Sequence, residues 1–170
     1  MRHSGVVLPN DPRDIQTRED CERLVRAFYG KAMTDPMIGF LFTDVAKLDL
    51  EAHVPVITSF WETMLLGTQT YGGGAFAPHV SLHRKAGLRG PHFERWLALW
   101  TATVDELFVG ERAEEAKAHA QRVAAAFARR LATLPGEGDV VAEELDDAGG
   151  LPVALTITRH GGGDGDGSQR

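Results

Sequence analysis

Apolar residues recur every three to four positions in four long segments, and polar or Gly- and Pro-rich stretches separate these segments. This spacing places the apolar side chains on one face of an α-helix. We predict helices that begin near Thr17, near Leu50, at Gly90 and near Arg112. The residues predicted to face inward are Leu24, Val25, Phe28, Tyr29 and Ala32 in the first helix, Ile57, Phe60, Trp61, Met64 and Leu65 in the second, Phe93, Trp96, Leu97, Trp100, Val104, Leu107 and Phe108 in the third, and Ala116, Ala120, Val123, Phe127 and Leu131 in the fourth.

Local signals mark the ends of these helices. Thr17, followed three residues later by Asp20, resembles a capping box with Asp in place of Glu. The short apolar run 37–42 predicts a bend that packs on the core. Residues 1–14 have no periodicity and predict an irregular arm, while residues 136–170 are acidic and Gly-rich and predict a largely disordered tail. The pattern therefore predicts an all-α domain with a tail at each end.

Histidines border the apolar face of the second predicted helix. His53 lies one turn before Ile57 and shares its face. After a Gly-rich turn at 72–74, His79 and His83 follow with a spacing of four residues. Imidazoles thus approach one apolar surface from both ends of this segment. We interpret this as a slot for a flat apolar cofactor.

Composition and charge exclude several classes of protein. The formal net charge is -6 and the pI about 5.6, so we expect no nucleic acid partner. No apolar run is long enough to span a membrane, and the first residues lack the apolar core of a signal peptide, so we expect a cytoplasmic protein. Cys21 is the single cysteine and predicts a reduced thiol without a disulfide partner.

Polar aromatic groups recur on the predicted inner faces, at Tyr29, His53 and Trp96. Taken one at a time, each is explained as core packing or a surface residue. Together they could donate hydrogen bonds to one small polar ligand in an apolar pocket. His79 and His83 could also hold zinc on a helix face, but the carboxylate that zinc proteases carry after the first histidine is missing.

The strings FYGKAMTDPMIGFLF, HVPVITSFWETMLLGTQTY, APH and HFERWLALW, in this order, resemble the group III truncated haemoglobins. The resemblance covers about residues 15–134. It implies a shortened globin domain over 15–135, in which two antiparallel helix pairs form a two-over-two sandwich around haem b. By this resemblance Tyr29 and His53 are the distal tyrosine and histidine, and Trp96 lines the distal pocket.

The same resemblance assigns the residues that hold the haem. Phe42 matches the phenylalanine that wedges the haem, and Ile57 lies one turn after His53. The apolar pattern independently predicts that Phe42, Ile57 and Phe60 cover the porphyrin faces. His79 matches the proximal iron ligand. His83 remains the alternative ligand, or a second cofactor-binding side chain beside a haem propionate.

The resemblance implies binding of O2, NO or CO at ferrous iron. Hydrogen bonds in a dry pocket would slow release of O2, which suits redox chemistry, detoxification or sensing better than bulk oxygen transport. Nitric oxide dioxygenase or peroxidase-like activity is then expected, with a reductase as the electron donor and the protein as a monomer. The alternative is a haem-free helical interaction module.

Overall fold

Five α-helices and one π-helical turn form the part of the chain that the computed structural model describes, residues 12–134. The elements are α1 (Arg18–Ala32), the π-helical turn (Leu41–Val45), α2 (Leu50–Leu66), α3 (Phe76–Ala86), α4 (Gly90–Leu107) and α5 (Glu111–Ala132). Residues 12–134 contain no β-strand, and only one isolated bridge joins Arg13 to Phe108. The predicted all-α class is confirmed.

The predicted capping box starts α1. The Thr17 hydroxyl accepts a hydrogen bond from the Asp20 backbone N–H at 3.2 Å, and the Asp20 carboxylate accepts from the Thr17 N–H at 3.1 Å. Arg13 donates two hydrogen bonds to the same carboxylate, at 2.8 and 2.6 Å. Both Asp20 oxygens are therefore occupied, and the arm before α1 is held against the helix.

The helices pack as two pairs. In one pair α1 lies against α2, in the other α4 lies against α5, and contacts between α1 and α4 join the two. α3 packs against the π-helical turn and α5. A cleft therefore forms with residues of α3 and the π-helical turn on facing sides and residues of α4 and α5 beside them.

The predicted inner faces of α1 and α5 are confirmed, since every residue assigned to them is buried. On α2, Met64 is 40% exposed, so its prediction as an inward residue was wrong. Ile57, two turns earlier, and Leu65, the next residue, are buried as predicted. The third predicted helix ends at Leu107, and Phe108 is already extended.

Two further differences lie between α1 and α4. α3 is a fifth helix that the apolar pattern did not predict. The predicted bend over 37–42 becomes a π-helical turn, with the Ala46 N–H donating to the Leu41 carbonyl five residues earlier at 2.9 Å. The predicted tail over 136–170 and the end of the predicted domain at 135 lie outside the described residues. No helix within 12–134 is both long and apolar enough to cross a membrane.

Candidate functional site

A cleft lies between the π-helical turn, α3, α4 and α5. The empty space between its walls, including the open mouth, is about 440 Å³. The lining side chains are mostly apolar or aromatic. They are Ile38, Leu41, Phe42, His79, Leu82, Leu88, His92, Phe93, Trp96, Ala124 and Phe127.

His79 lines this cleft and has a ring nitrogen without a hydrogen-bond partner among the described residues. The side chain is 2% exposed, and its Nδ1–H donates to the Ala75 carbonyl at 2.6 Å. Nε2 therefore carries the lone pair, and it is buried with no hydrogen-bond partner among the described residues. The ring of Phe127 packs edge-on against the imidazole, 4.7 Å between centroids, and fixes its orientation. Burial lowers the pKa of His79 to about 4, so the imidazole is neutral at pH 7.

Trp96 lines the same cleft and has a second unpaired group. Its indole Nε1–H is buried and has no acceptor within the described part of the chain. A buried donor left unpaired costs about 1–3 kcal/mol. Among the described residues one more buried side-chain atom lacks a partner, Thr58 Oγ1, and Thr58 is not part of the cleft lining. The two residues with an unpaired buried nitrogen therefore line the same cavity.

This pairing fits an iron porphyrin. An iron-bound histidine commonly donates its second ring N–H to a backbone carbonyl, which sets the tautomer and raises the basicity of the ligating nitrogen. His79 and Ala75 form that arrangement. The apolar lining suits a flat hydrophobic ring, and the Trp96 N–H suits a small polar ligand beside it.

Tyr29 and His53 are both buried, at 1% and 5% exposure, but neither is among the residues that line the cleft. Tyr29 packs edge-on against Phe42, 5.7 Å between ring centroids, and so lies directly behind a cleft wall. Phe28 bridges Tyr29 and Trp96, with centroid distances of 5.1 and 5.5 Å. The distal roles assigned to Tyr29 and His53 stay predictions.

Some of the residues predicted to contact the haem line the cleft, and others do not. Phe42 and His79 line the cleft, whereas Ile57 and Phe60 are buried but are not part of its lining. His83 is partly exposed and also absent from the lining, and its Nδ1–H donates to the Leu88 carbonyl at 3.1 Å. Of the predicted site residues, the structure brings together Phe42, His79 and Trp96. The roles assigned to Ile57, Phe60 and His83 stay predictions.

The cleft also contains a histidine that sequence reasoning did not assign to a site. His92 lines it, and its Nδ1 accepts a hydrogen bond from the Arg89 backbone N–H at 3.0 Å. The spacing of four residues between His92 and Trp96 on α4 was the available signal. No group of three or more His, Cys, Asp or Glu side chains within 12–134 could hold a metal ion, so the zinc alternative gains no support.

Comparison with known proteins adds the family relationship. No family model matches the sequence, and no curated protein matches it either. The crystal structure of the group III truncated haemoglobin from Campylobacter jejuni is similar to this chain, with a TM-score of 0.64 and 25% sequence identity. The similarity covers 75% of this chain and 100% of that one. The chain therefore has the truncated-globin fold and is similar to a group III truncated haemoglobin.

Proposed function

We propose that this protein is a haem-binding globin, with haem b in the cleft and His79 as the proximal iron ligand. One observation carries the proposal: the buried Nε2 of His79 and the buried Nε1 of Trp96 lack partners and belong to residues that line the same cavity. When bound, haem supplies an iron that takes O2, NO or CO as a ligand in its ferrous state. Phe42, Leu82 and Phe127 offer apolar contacts to the porphyrin.

His79 is already prepared as a ligand. Its Nδ1–H is held by the Ala75 carbonyl, so the lone pair stays on Nε2. The lowered pKa keeps protons from competing with iron at neutral pH. His83 is the alternative ligand, and its Nδ1–H bond to the Leu88 carbonyl leaves its Nε2 with the lone pair as well. It is His79, however, that lines the cleft, and this favours His79.

The distal role follows from hydrogen bonding. Trp96 donates its indole N–H to the diatomic ligand, and Tyr29 and His53 are proposed as further donors. One such bond of about 1.5 kcal/mol slows ligand release by about tenfold. A globin that releases O2 slowly suits nitric oxide dioxygenation, peroxide turnover or sensing, with electrons from a reductase, and we propose that it acts as a monomer.

Hemin titration of the purified protein tests the proposal. The wild type is expected to take up one hemin with a sharp Soret band. His79→Ala loses most of this affinity, whereas His83→Ala, a matched control one helical turn away, keeps it. The reverse result would make His83 the ligand. A protein that takes up no hemin would overturn the proposal and favour the haem-free interaction module.

A further inference from the structure

Three tryptophans form a stack that starts at the cleft. Trp96 lines the cleft, and its ring lies nearly parallel to that of Trp100, at an angle of 7° and 5.8 Å between centroids. Trp100 in turn stacks on Trp61 at 4.2 Å and 19°. All three rings are buried. A column of indoles thus leads from the cavity into the core between α2 and α4.

The far end of the stack leads to a tyrosine at the surface. Phe60 packs edge-on against Trp61 and against Tyr71, with centroid distances of 5.2 and 5.3 Å. Tyr71 is partly exposed. One phenyl ring therefore separates the Trp61 indole from a tyrosine that is partly exposed.

The three stacked indoles are held in place by neighbouring groups and are shielded from water. The Trp100 Nε1–H donates to the Ala116 carbonyl at 3.2 Å, which fixes the central ring. Phe28 packs edge-on against both Trp96 and Trp100, at 5.5 and 5.2 Å. Indole and phenol are the aromatic side chains that lose one electron most readily. Close, fixed and dry rings of this kind favour electron exchange over side reactions with water.

We propose that Trp96, Trp100, Trp61 and Tyr71, which we call the aromatic column, carry an oxidising equivalent from the cleft to the protein surface. This inference rests on the proposed function, because a haem in the cleft and hydrogen peroxide as the oxidant supply the equivalent. The column lets a donor too large for the cleft react at Tyr71. It also moves the oxidising equivalent away from the haem, so the residues around the haem are protected from oxidation.

The electrons balance as follows. With haem bound, hydrogen peroxide would be cleaved at its O–O bond and its first oxygen would leave as water. The two electrons for this cleavage would come from the bound haem and from the Trp96 indole. Trp100 then reduces oxidised Trp96, Trp61 reduces Trp100, and Tyr71 reduces Trp61 and releases its phenolic proton. An external phenol returns a hydrogen atom to Tyr71. A second phenol would supply the electron and the proton that, with the proton from Tyr71, release the second oxygen as water.

Radical trapping on the hemin-loaded protein tests the column. Hemin uptake is first verified by absorbance. One equivalent of hydrogen peroxide is then added with a nitroso spin trap, and the adduct is located by peptide mass spectrometry. The chain has two tyrosines, Tyr29 and Tyr71, and peptide mass spectrometry tells an adduct on one from an adduct on the other. We expect the adduct on Tyr71 in the wild type and its loss in Tyr71→Phe.

Trp100→Phe interrupts the column between its ends and is expected to lose most of the Tyr71 adduct while still consuming peroxide. If that variant does not fold, the comparison of the wild type with Tyr71→Phe decides alone. An adduct mainly on Tyr29, or no protein adduct in a hemin-loaded protein that consumes peroxide, overturns the column but leaves the proposed function intact. A protein that takes up no hemin overturns both, and this is seen before peroxide is added.

Discussion

Asp35 and Arg95 form a two-point ion pair between the segment before the π-helical turn and α4. The guanidinium Nε and Nη2 donate to Asp35 Oδ2 at 2.9 and 2.7 Å, while Oδ1 accepts from the backbone N–H groups of Met37 and Ile38 at 2.9 and 3.1 Å. The Arg95 guanidinium holds the pKa of Asp35 below its ordinary value. One carboxylate therefore joins two walls of the cleft.

Replacing this carboxylate should loosen the cleft. Asp35→Ala leaves two backbone N–H groups without their acceptor and is expected to lower the free energy of unfolding by about 1–3 kcal/mol. Urea denaturation measures the loss. Glu51→Gln is the control, because it breaks an ion pair with Arg26 whose two side chains are 43% and 74% exposed, and such pairs stabilise little. Equal losses in both variants would contradict the anchoring role of Asp35.

The lowered pKa of His79 predicts that the haem-free protein weakens in mild acid. The ordinary pKa is 6.5 and that of the folded state about 4. Above pH 6.5 the side chain is neutral in both states and has no effect. As the pH falls below 6.5 only the unfolded state takes up the proton, so stability falls, by about 2 kcal/mol between pH 7 and pH 5.

Urea titrations of the haem-free protein at pH 7 and pH 5 measure this loss. His79→Ala should remove most of the difference between the two pH values, whereas His83→Ala should retain it. A wild-type stability that is the same at both pH values would show that His79 is not buried in its neutral form.

Removing the unpaired indole donor should speed release of O2. Trp96→Phe keeps an aromatic ring at the cleft but deletes Nε1–H, and the O2 dissociation rate is expected to rise about tenfold for a bond of about 1.4 kcal/mol. Trp100→Phe is the control, since its Nε1–H already donates to Ala116. Stopped-flow displacement of O2 by CO measures the rates, and an unchanged rate in Trp96→Phe would exclude it as a distal donor.

Two glycines give opposite predictions for the same substitution. A β-carbon at Gly110 would lie 2.3 Å from Asp14 Cγ, and φ there is +148°, so Gly110→Ala should destabilise the protein. Gly30 lies within α1 with nothing within 4 Å of an added β-carbon. Gly30→Ala should therefore stabilise by about 1 kcal/mol through helix propensity. Thermal unfolding of both variants checks the signs, and a stabilised Gly110→Ala would contradict the packing of Asp14.

The periodic pattern was sufficient for α1 and α5 because each buries one continuous stripe. It was insufficient for α3, which has Pro78 in its first turn, follows a Gly-rich segment and lacks a side-chain cap. A short helix of this kind is stabilised by packing, in this case against α5 and the π-helical turn.

The site shows the same limit of sequence reasoning. His79 and Trp96 were singled out by their places in the apolar pattern, and their roles came from the family resemblance. The pairing of Nδ1 with Ala75 and the unpaired Trp96 N–H depend on tertiary structure. His92 was missed because it becomes part of a cavity only where α4 and the π-helical turn line the same cleft. Asp14 was missed as well, although it accepts hydrogen bonds from Arg112 and Ala113 at the start of α5.

The π-helical turn has a consequence for how this cleft can change. Consecutive side chains in an α-helix diverge by about 100°, yet the neighbours Leu41 and Phe42 both line the cavity. The wider winding of the turn accommodates this. Shortening the segment by one residue would rewind it as an α-helix and rotate one of the two side chains away from the cavity. The number of residues in this turn therefore constrains the shape of the pocket wall more than the identity of the turn's exposed residues does.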